Sequence, residues 1–258
     1  MKKLTRLVTL PICLALSGCF WGSSLCEEYD QIPTLDRNLD GEADYRYQVI
    51  GDSILAYHNI ACKSVGHHIG FDVNDRVLSK AATGAKLFEI RQQYIPPVDE
   101  LTDYEYVIVN GGLNDIIANK PVEGSDLPAC DCNGSVNHEA CLAKIDELKQ
   151  GMADVIDDIQ ATSDTNIALV TYYPAESNDS FIGACFPYVE RLNNSYRDLA
   201  DQDDRVFAIE TYGAGQEVIQ KVNVLGRDKY HPTPSGSQQI AWQLVEQLGL
   251  VPLETEEP

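Results

Sequence analysis

The stretch QVIGDSILAY, residues 48–57, predicts a strand, a tight turn and a helix in succession. The apolar pair Val49-Ile50 runs into Gly-Asp-Ser, and an apolar, helix-like segment follows. This is the pattern of a buried strand that turns directly into a helix. Ser53 lies at that turn, where two roles are open to it. It caps the helix, since a serine oxygen accepts a free backbone N–H, or it is a nucleophile.

Apolar runs of strand length recur along the chain and alternate with helical patterns. The best helical pattern begins at Leu142 and continues at steps of three and four to Ile159. Thr233-Pro234 opens the last helix and Gly249 closes it. Short buried strands that alternate with helices predict an α/β fold, with a parallel sheet covered on both faces. The predicted strands are Tyr47 to Ile50, Val77 with Leu78, Tyr106 to Val109, Ile167 to Tyr172, and Val206 to Ile209.

Polar residues that follow the strands are candidates for a site, because ligands bind at the carboxyl ends of strands in such folds. Asn114 offers an amide N–H and Gly84 a backbone N–H to a developing oxyanion. Asp228 lies three residues before His231. On a turn this spacing brings both side chains to one side, so a carboxylate can hold Nδ1–H and leave Nε2 as a base.

Each of these residues also has an ordinary structural interpretation. Asp228 and His231 could be a loop pair before a helix, and Gly84 a turn glycine. Asn114 and Asp115 could cap the segment that follows them, and we expect Asp115 to do only that. His58, His67 and His68 have no spacing that pairs them with a nucleophile, so we interpret them as surface or core polar residues.

Four short blocks, taken together and in order, resemble the SGNH hydrolases of the GDSL esterase/lipase family. The blocks are Gly51-Asp52-Ser53 with Ile54 where Leu is usual, Gly84, Gly112-Leu113-Asn114-Asp115, and Asp228 to His231. The resemblance implies a three-layer α/β/α, flavodoxin-like fold. It also implies Ser53 as nucleophile, His231 as base and Asp228 as the acid that orients it. Ser53 N–H, Gly84 N–H and the Asn114 side chain would form the oxyanion hole, and catalysis would need no cofactor.

The expected function is that of a serine esterase, which hydrolyses carboxylic esters of short acyl groups through an acyl-enzyme. A carbohydrate O-acetylesterase or a lysophospholipase of the same fold is the alternative. An alternative of another class is a non-catalytic, lipid-anchored binding module. The expected ligand is a small-molecule, lipid or sugar ester, and the long stretch from Ile116 to Glu139 is expected to border its pocket.

The amino terminus has the pattern of an export signal. Lys2, Lys3 and Arg6 precede an apolar run too short to span a membrane. The segment that ends at Cys19 resembles the lipobox of bacterial lipoproteins, in which the signal is cut before a lipidated cysteine. Phe20, which is not Asp, favours the outer membrane over the inner one. We therefore predict a signal peptide over 1–18, a lipid-anchored lead over 19–44, a hydrolase domain over 45–252 and an acidic tail over 253–258, in the bacterial cell envelope.

The charge of the chain excludes several kinds of partner. The formal net charge is −21. Removal of 1–18, which carries three positive and no acidic residues, makes it −21 − 3 = −24. A field of this sign argues against nucleic acid and against adhesion to anionic lipid through charge. Membrane attachment would then come from the acyl chains on Cys19.

Six of the eight cysteines remain after Cys13 leaves with the signal and Cys19 is lipidated. An even number in an oxidising compartment predicts disulfides. We expect Cys26 to pair with Cys62, one of Cys130 and Cys132 with Cys141, and the other with Cys185. Cys130, Cys132, His138 and Cys141 could also hold zinc, but their spacing fits no standard structural zinc pattern.

The segment DRNLDGEADYR, residues 36–46, resembles a short calcium loop. Calcium prefers six or more oxygen ligands, and alternate acidic residues around a Gly turn can supply them. The bidentate Glu of an EF-hand is absent, since Tyr47 occupies that position. An acidic solvated linker is the alternative, and calorimetry with calcium and an Asp40→Ala control would distinguish the two. The expected ligands are Asp36, Asn38, Asp40, Asp44 and the backbone carbonyl of Glu42.

Overall fold

Five strands form one parallel sheet in the order β2-β1-β3-β4-β5. The computed structural model describes residues 23–34, 44–97, 103–117, 130, 137–173, 183–211 and 230–252. All paired strands run parallel, and Ile50 lies beside Val109 in the register of β1 and β3. The predicted α/β fold with a parallel sheet is therefore confirmed. The strands are β1 Tyr47–Ile50, β2 Leu78–Ser79, β3 Tyr106–Val109, β4 Asn166–Val170 and β5 Val206–Ile209.

Helices cover the sheet in two groups, which gives three layers. Helix α3 packs against α8, whereas α6 packs against α4, α5 and α7. The helices are α1 Ser23–Asp30, α2 Ser53–Ala56, α3 Val65–Val73, α4 Leu87–Gln93, α5 Leu113–Ile117, α6 His138–Gln160, α7 Phe186–Ala200 and α8 Pro234–Leu248, with 3₁₀ helices at Asn59–Ala61 and Gly183–Cys185.

The core lies where the strands and the apolar helix faces meet. Every residue of β1 is buried, as expected for a parallel strand with helices on both sides. Asn137 caps α6 by accepting a hydrogen bond from Ala140 N, and Thr233 caps α8 by accepting one from Gly236 N. The face of α6 that the sequence predicted is buried, and it carries Ile145, Leu148, Met152, Val155, Ile156 and Ile159.

Helix α1 lies inside the predicted lead segment, yet it packs on the domain. The Tyr29 ring lies 4.6 Å from that of His67 and 5.4 Å from that of Phe71, both on α3. Its hydroxyl accepts a hydrogen bond from Val77 N at 2.9 Å. This part of the lead is therefore packed against α3 and against the segment just before β2.

Disulfides join distant parts of the chain. Cys26 on α1 is bonded to Cys62, and Cys130 is bonded to Cys141 at the start of α6. Both pairs agree with the predicted pairing. Cys185 is also disulfide-bonded, whereas Cys132, its predicted partner, lies outside the described residues. In the part of the chain that the structure describes, no helix has the length and apolar character needed to cross a membrane.

Candidate active site

The turn that follows β1 admits only glycine at its first position. Gly51 has a φ of +150°, and a Cβ on this residue would lie 2.0 Å from Oδ1 of Asn110. The Gln93 side chain holds the same glycine, because its Oε1 accepts from Gly51 N at 2.6 Å. The backbone that leaves β1 can therefore pass very close to the end of β3, which brings the next two residues to the edge of the sheet.

Asp52, rather than Ser53, caps the helix that follows. Its Oδ1 accepts a hydrogen bond from Ile54 N at 2.9 Å, in the geometry of an N-cap residue. Ser53 is the first residue of α2, and its side chain does not cap the helix. The helix cap, one of the two roles that the sequence left open for Ser53, is therefore provided by Asp52.

The carboxylate of Asp52 is 1% exposed and receives further hydrogen bonds from two side chains. Asn110 donates through Nδ2 at 3.0 Å, and Tyr172 donates through its hydroxyl at 2.7 Å. Burial raises the pKa of Asp52, and the hydrogen bonds from Tyr172, Ile54 and Asn110 act in the opposite direction. Burial and the nearby carboxylate raise the pKa of Tyr172 well above its usual value, so its hydroxyl remains a donor.

Ser53 and His231 meet although they are 178 positions apart in sequence. The Nε2 atom of His231 lies 2.8 Å from Oγ of Ser53, which is hydrogen-bonding distance. Ser53 follows β1, and it is 5% exposed. His231 lies two residues before Thr233, the N-cap of α8. The structure therefore brings together the predicted nucleophile and base, whereas Asp228 lies outside the described residues.

The two other oxyanion candidates adjoin each other. Asn114, in the first turn of α5, donates through Nδ2 to the carbonyl of Ala85 at 3.0 Å. Gly84, one residue earlier, is exposed, has a φ of +80° and has open space where a Cβ would lie. A side-chain amide carries two hydrogens. The bond to Ala85 uses one hydrogen of the Asn114 amide. It holds this amide beside the loop over 80–86, which we call the Gly84 loop.

Asp115 does not cap its own segment, contrary to the expectation from sequence. Its Oδ2 accepts a hydrogen bond from Leu87 N at 2.9 Å, at the start of α4. Burial raises the pKa of Asp115, and the hydrogen bond from Leu87 acts against that shift. Asn114 and Asp115 both therefore tie the end of β3 to the segment that follows Gly84.

The topology places these groups at one crevice. From β1 the chain first crosses to β2 on one side and then returns to β3 on the other. Such a reversal of strand order opens a crevice outside the carboxyl ends of the two strands. Ser53 follows β1 and Asn114 follows β3, so both belong to this crevice.

Sequence reasoning missed four residues that support the site. Asn110 and Tyr172 hold Asp52, as described above. The Tyr57 ring stacks on the His231 ring, and His58 Nε2 lies 3.1 Å from the carbonyl oxygen of Pro232. Tyr57 and His58 lie three and four positions after Ile54 of the first block, and this proximity was the one local signal that could have marked them.

A cavity of about 380 Å³ lies beside the Gly84 loop. Its walls carry hydroxyl, carboxylate and amide groups from Thr83, Glu89, Gln92 and Gln93. Gln93 is occupied by its hydrogen bonds to Gly51, and one carboxylate oxygen of Glu89 accepts from Lys86 N, whereas Gln92 is exposed. The cavity therefore offers polar contacts close to a predicted oxyanion donor.

The predicted calcium loop falls almost entirely outside the described residues. Asp36, Asn38, Asp40 and Glu42 are not described, and Asp44 is 7% exposed. Among the residues that are described, no group of three or more His, Cys, Asp and Glu side chains could hold a metal ion. The calcium site remains a prediction.

A family model matches most of the chain. The model of the GDSL-like lipase/acylhydrolase family covers residues 49–239, which include Ser53, Gly84, Asn114, Asp228 and His231. No curated protein has significant similarity to this sequence.

Solved structures of low sequence identity share the fold. A member of the lipolytic protein G-D-S-L family from Veillonella parvula has a TM-score of 0.53 at 13% identity, over 78% of this chain and 96% of its own. A carbohydrate esterase of family 2 with a carbohydrate-binding domain, from Corynascus thermopiles, has a TM-score of 0.54 at 15% identity, over 80% of this chain and 65% of its own. A carbohydrate acetylesterase from Sinorhizobium meliloti has a TM-score of 0.51 at 11% identity, over 80% and 98%.

Replacement of Asp52 tests its place in this network. We predict that Asp52→Leu lowers the free energy of unfolding by about 3 kcal/mol, because it leaves buried donors of Ile54, Asn110 and Tyr172 without an acceptor. Asp52→Asn keeps one acceptor oxygen and should cost about 1 kcal/mol. Urea unfolding measures both values. The exposed Asp146→Leu on α6 is the matched control and should change stability by less than about 0.5 kcal/mol. Equal losses for the two Asp52 variants would contradict the assignment.

Proposed function

The chain belongs to the GDSL-like lipase/acylhydrolase family, and on this premise we propose that it is a serine esterase that hydrolyses carboxylic esters of short acyl groups. Membership indicates an ester hydrolase, and the choice of short acyl esters is our proposal. The observation that carries it is the 2.8 Å contact between Ser53 Oγ and His231 Nε2. A hydroxyl in hydrogen-bond contact with an imidazole is the arrangement of an activated nucleophile.

In the first step, Ser53 Oγ forms a bond to the ester carbonyl carbon as its proton passes to His231 Nε2. The carbonyl electrons move onto the oxygen, which becomes an oxyanion. When they return, the bond to the alcohol breaks, and the alcohol leaves with the proton held by His231. Water then attacks the acyl-enzyme with His231 again as base, and the acid is released as Ser53 recovers its proton.

The oxyanion needs donors that are in place before the reaction. We assign this role to the backbone N–H groups of Ser53 and Gly84 and to the second amide hydrogen of Asn114. The bond from Asn114 to Ala85 supports the assignment, because it fixes the amide without using both hydrogens. Asp228 is assigned to orient His231 by accepting Nδ1–H, on the strength of its position in the family motif.

Serine and histidine replacement tests the mechanism. We expect Ser53→Ala and His231→Ala each to lower kcat for p-nitrophenyl acetate by about 10³-fold or more, because each removes one partner of the proton transfer. Ser163→Ala is the matched control, since Ser163 precedes β4 at the edge of the sheet opposite the site, and it should change kcat less than about twofold.

The outcomes that would contradict the proposed mechanism can be distinguished from a loss of folding. A Ser53→Ala protein with wild-type turnover would rule out the assigned nucleophile. If the wild-type protein hydrolyses none of the p-nitrophenyl esters of acetate, butyrate and octanoate, this result would favour a non-catalytic binding module. Thermal unfolding of each variant shows whether the fold is kept.

An O-acetylated carbohydrate is the second candidate substrate, and the polar cavity beside Gly84 favours it. Thr83, Glu89 and Gln92 offer hydrogen bonds that sugar hydroxyls accept and donate. In this alternative the acetyl group would lie at Ser53 and the sugar in the cavity.

Comparison of two substrates separates the candidates. If the cavity binds sugar, we predict that Gln92→Leu lowers the ratio of kcat/KM for acetylated xylan to that for p-nitrophenyl acetate by about tenfold. Acetate release and initial rates measure the ratio. Phe88→Leu, an exposed change on the same helix, is the control and should leave the ratio unchanged. Turnover of short p-nitrophenyl esters without acetate release from xylan or peptidoglycan would exclude the carbohydrate substrate.

We further propose that the enzyme acts in the bacterial cell envelope, anchored through lipid on Cys19. The support is the lipobox-like sequence before Cys19, which lies outside the described residues. We expect wild-type protein in the membrane fraction and Cys19→Ser protein in the soluble fraction, because several acyl chains anchor stably. Mass spectrometry of the N-terminal peptide is the direct measurement, and an unmodified Cys19 in the exported protein would contradict the proposal.

A further inference from the structure

Helix α2 carries the nucleophile at one end and a support for its base at the other. It begins at Ser53, and Tyr57 is its C-cap residue. The Tyr57 ring lies parallel to the His231 ring, with 4.4 Å between centroids and 8° between planes. One short helix thus sets the positions of both the serine hydroxyl and a flat surface against the imidazole.

His58 holds the backbone next to the base. Its Nε2 lies 3.1 Å from the carbonyl oxygen of Pro232, the residue after His231. A carbonyl oxygen only accepts hydrogen bonds, so Nε2 of His58 carries the hydrogen. Burial lowers the pKa of His58, so the neutral ring with its hydrogen on Nε2 is the donor near neutral pH.

Tyr57 and His58 also brace one another. Their rings are 4.8 Å apart and nearly perpendicular. His58 has a φ of +70°, a left-handed conformation that is uncommon for a residue other than glycine. This conformation gives the chain a sharp turn directly after α2, from which adjacent side chains both reach the His231 segment.

The other side of His231 is held from the sheet. The Tyr173 hydroxyl donates a hydrogen bond to the carbonyl of Tyr230, and the Tyr230 ring lies 5.8 Å from that of His231. The carbonyls on both sides of His231 are therefore hydrogen-bonded, one by Tyr173 and one by His58. These bonds fix the backbone on both sides of His231 but not the orientation of its imidazole ring. The Tyr57 ring covers one face of the imidazole and so restricts that orientation.

We infer that Tyr57 and His58 are positioning residues that hold His231 in line with Ser53. The inference rests on the proposed function, since it assumes that His231 is the base. Tyr57 restricts rotation of the imidazole, and His58 fixes the backbone that carries it. Neither side chain is part of the buried core, so their contacts serve the His231 segment more than the packing of the sheet. A base held within hydrogen-bond distance reacts faster than one that samples other orientations.

Paired replacements test the two roles through p-nitrophenyl acetate kinetics. Tyr57→Leu removes the ring and should lower kcat about tenfold with KM changed less than twofold, whereas Tyr57→Phe keeps the stack and should retain most of kcat. His58→Leu removes the donor and should also lower kcat, whereas His58→Gln places an amide donor at similar reach and should restore it. Thermal unfolding accompanies each variant. The two Tyr57 variants should melt close to the wild type, and the two His58 variants close to one another, because both carry a side chain strained at the left-handed φ of this position.

A double variant distinguishes action through His231 from a general structural effect. In a His231→Ala background, Tyr57→Leu should reduce the residual kcat no further, because the group it positions is gone. An additional loss in that background would overturn the inference, as would unchanged kcat in both Leu variants or equal losses for Tyr57→Phe and Tyr57→Leu. The proposed function is tested apart from this. If Ser53→Ala is inactive while Tyr57→Leu keeps its kcat, only the positioning role fails, whereas an active Ser53→Ala protein overturns the proposed function itself.

Discussion

One buried carboxylate holds together the edge of the sheet on which the site is built. Asp52 follows β1, Asn110 follows β3 and Tyr172 follows β4, and the two neutral side chains both donate to Asp52. A buried charge without such donors would be very costly. The hydrogen bonds therefore fix where three neighbouring strands end relative to one another, and because Asp52 also caps α2, they fix where Ser53 begins the helix.

Much of the fold could be predicted because buried parallel strands are continuous apolar runs. The bounds of β1, β3 and β5 agree with the predicted strands, as do the core face of α6 and the start of α8. β4 is Asn166–Val170 where Ile167 to Tyr172 was predicted, and β2, at the edge of the sheet, is Leu78–Ser79 where Val77 with Leu78 was predicted. An edge strand of two residues has too little apolar sequence for its bounds to be predicted. Ser53 and His231 could be paired in advance because two motifs identified them separately.

The supporting contacts could not be predicted, because they join residues far apart in sequence and no motif marks them. Tyr172 is 120 positions from Asp52, and Pro232 is 174 from His58. Periodicity describes neighbours at three or four positions along one helix, so it carries no information about such pairs. The same limit explains Asp115, which has the sequence position of a local cap but accepts from Leu87 on another helix. The roles of Asp228 and Cys132 remain predictions from sequence.

The separation of 178 positions between Ser53 and His231 also bears on when the activity proposed for this pair can appear. A chain made from its amino end carries the serine long before the histidine exists. Even a finished chain must close a loop of this length, with its entropic cost, before the two side chains meet. Under the proposed mechanism, hydrolysis therefore requires the completed and folded protein, because a nascent or partly folded chain carries Ser53 without its base.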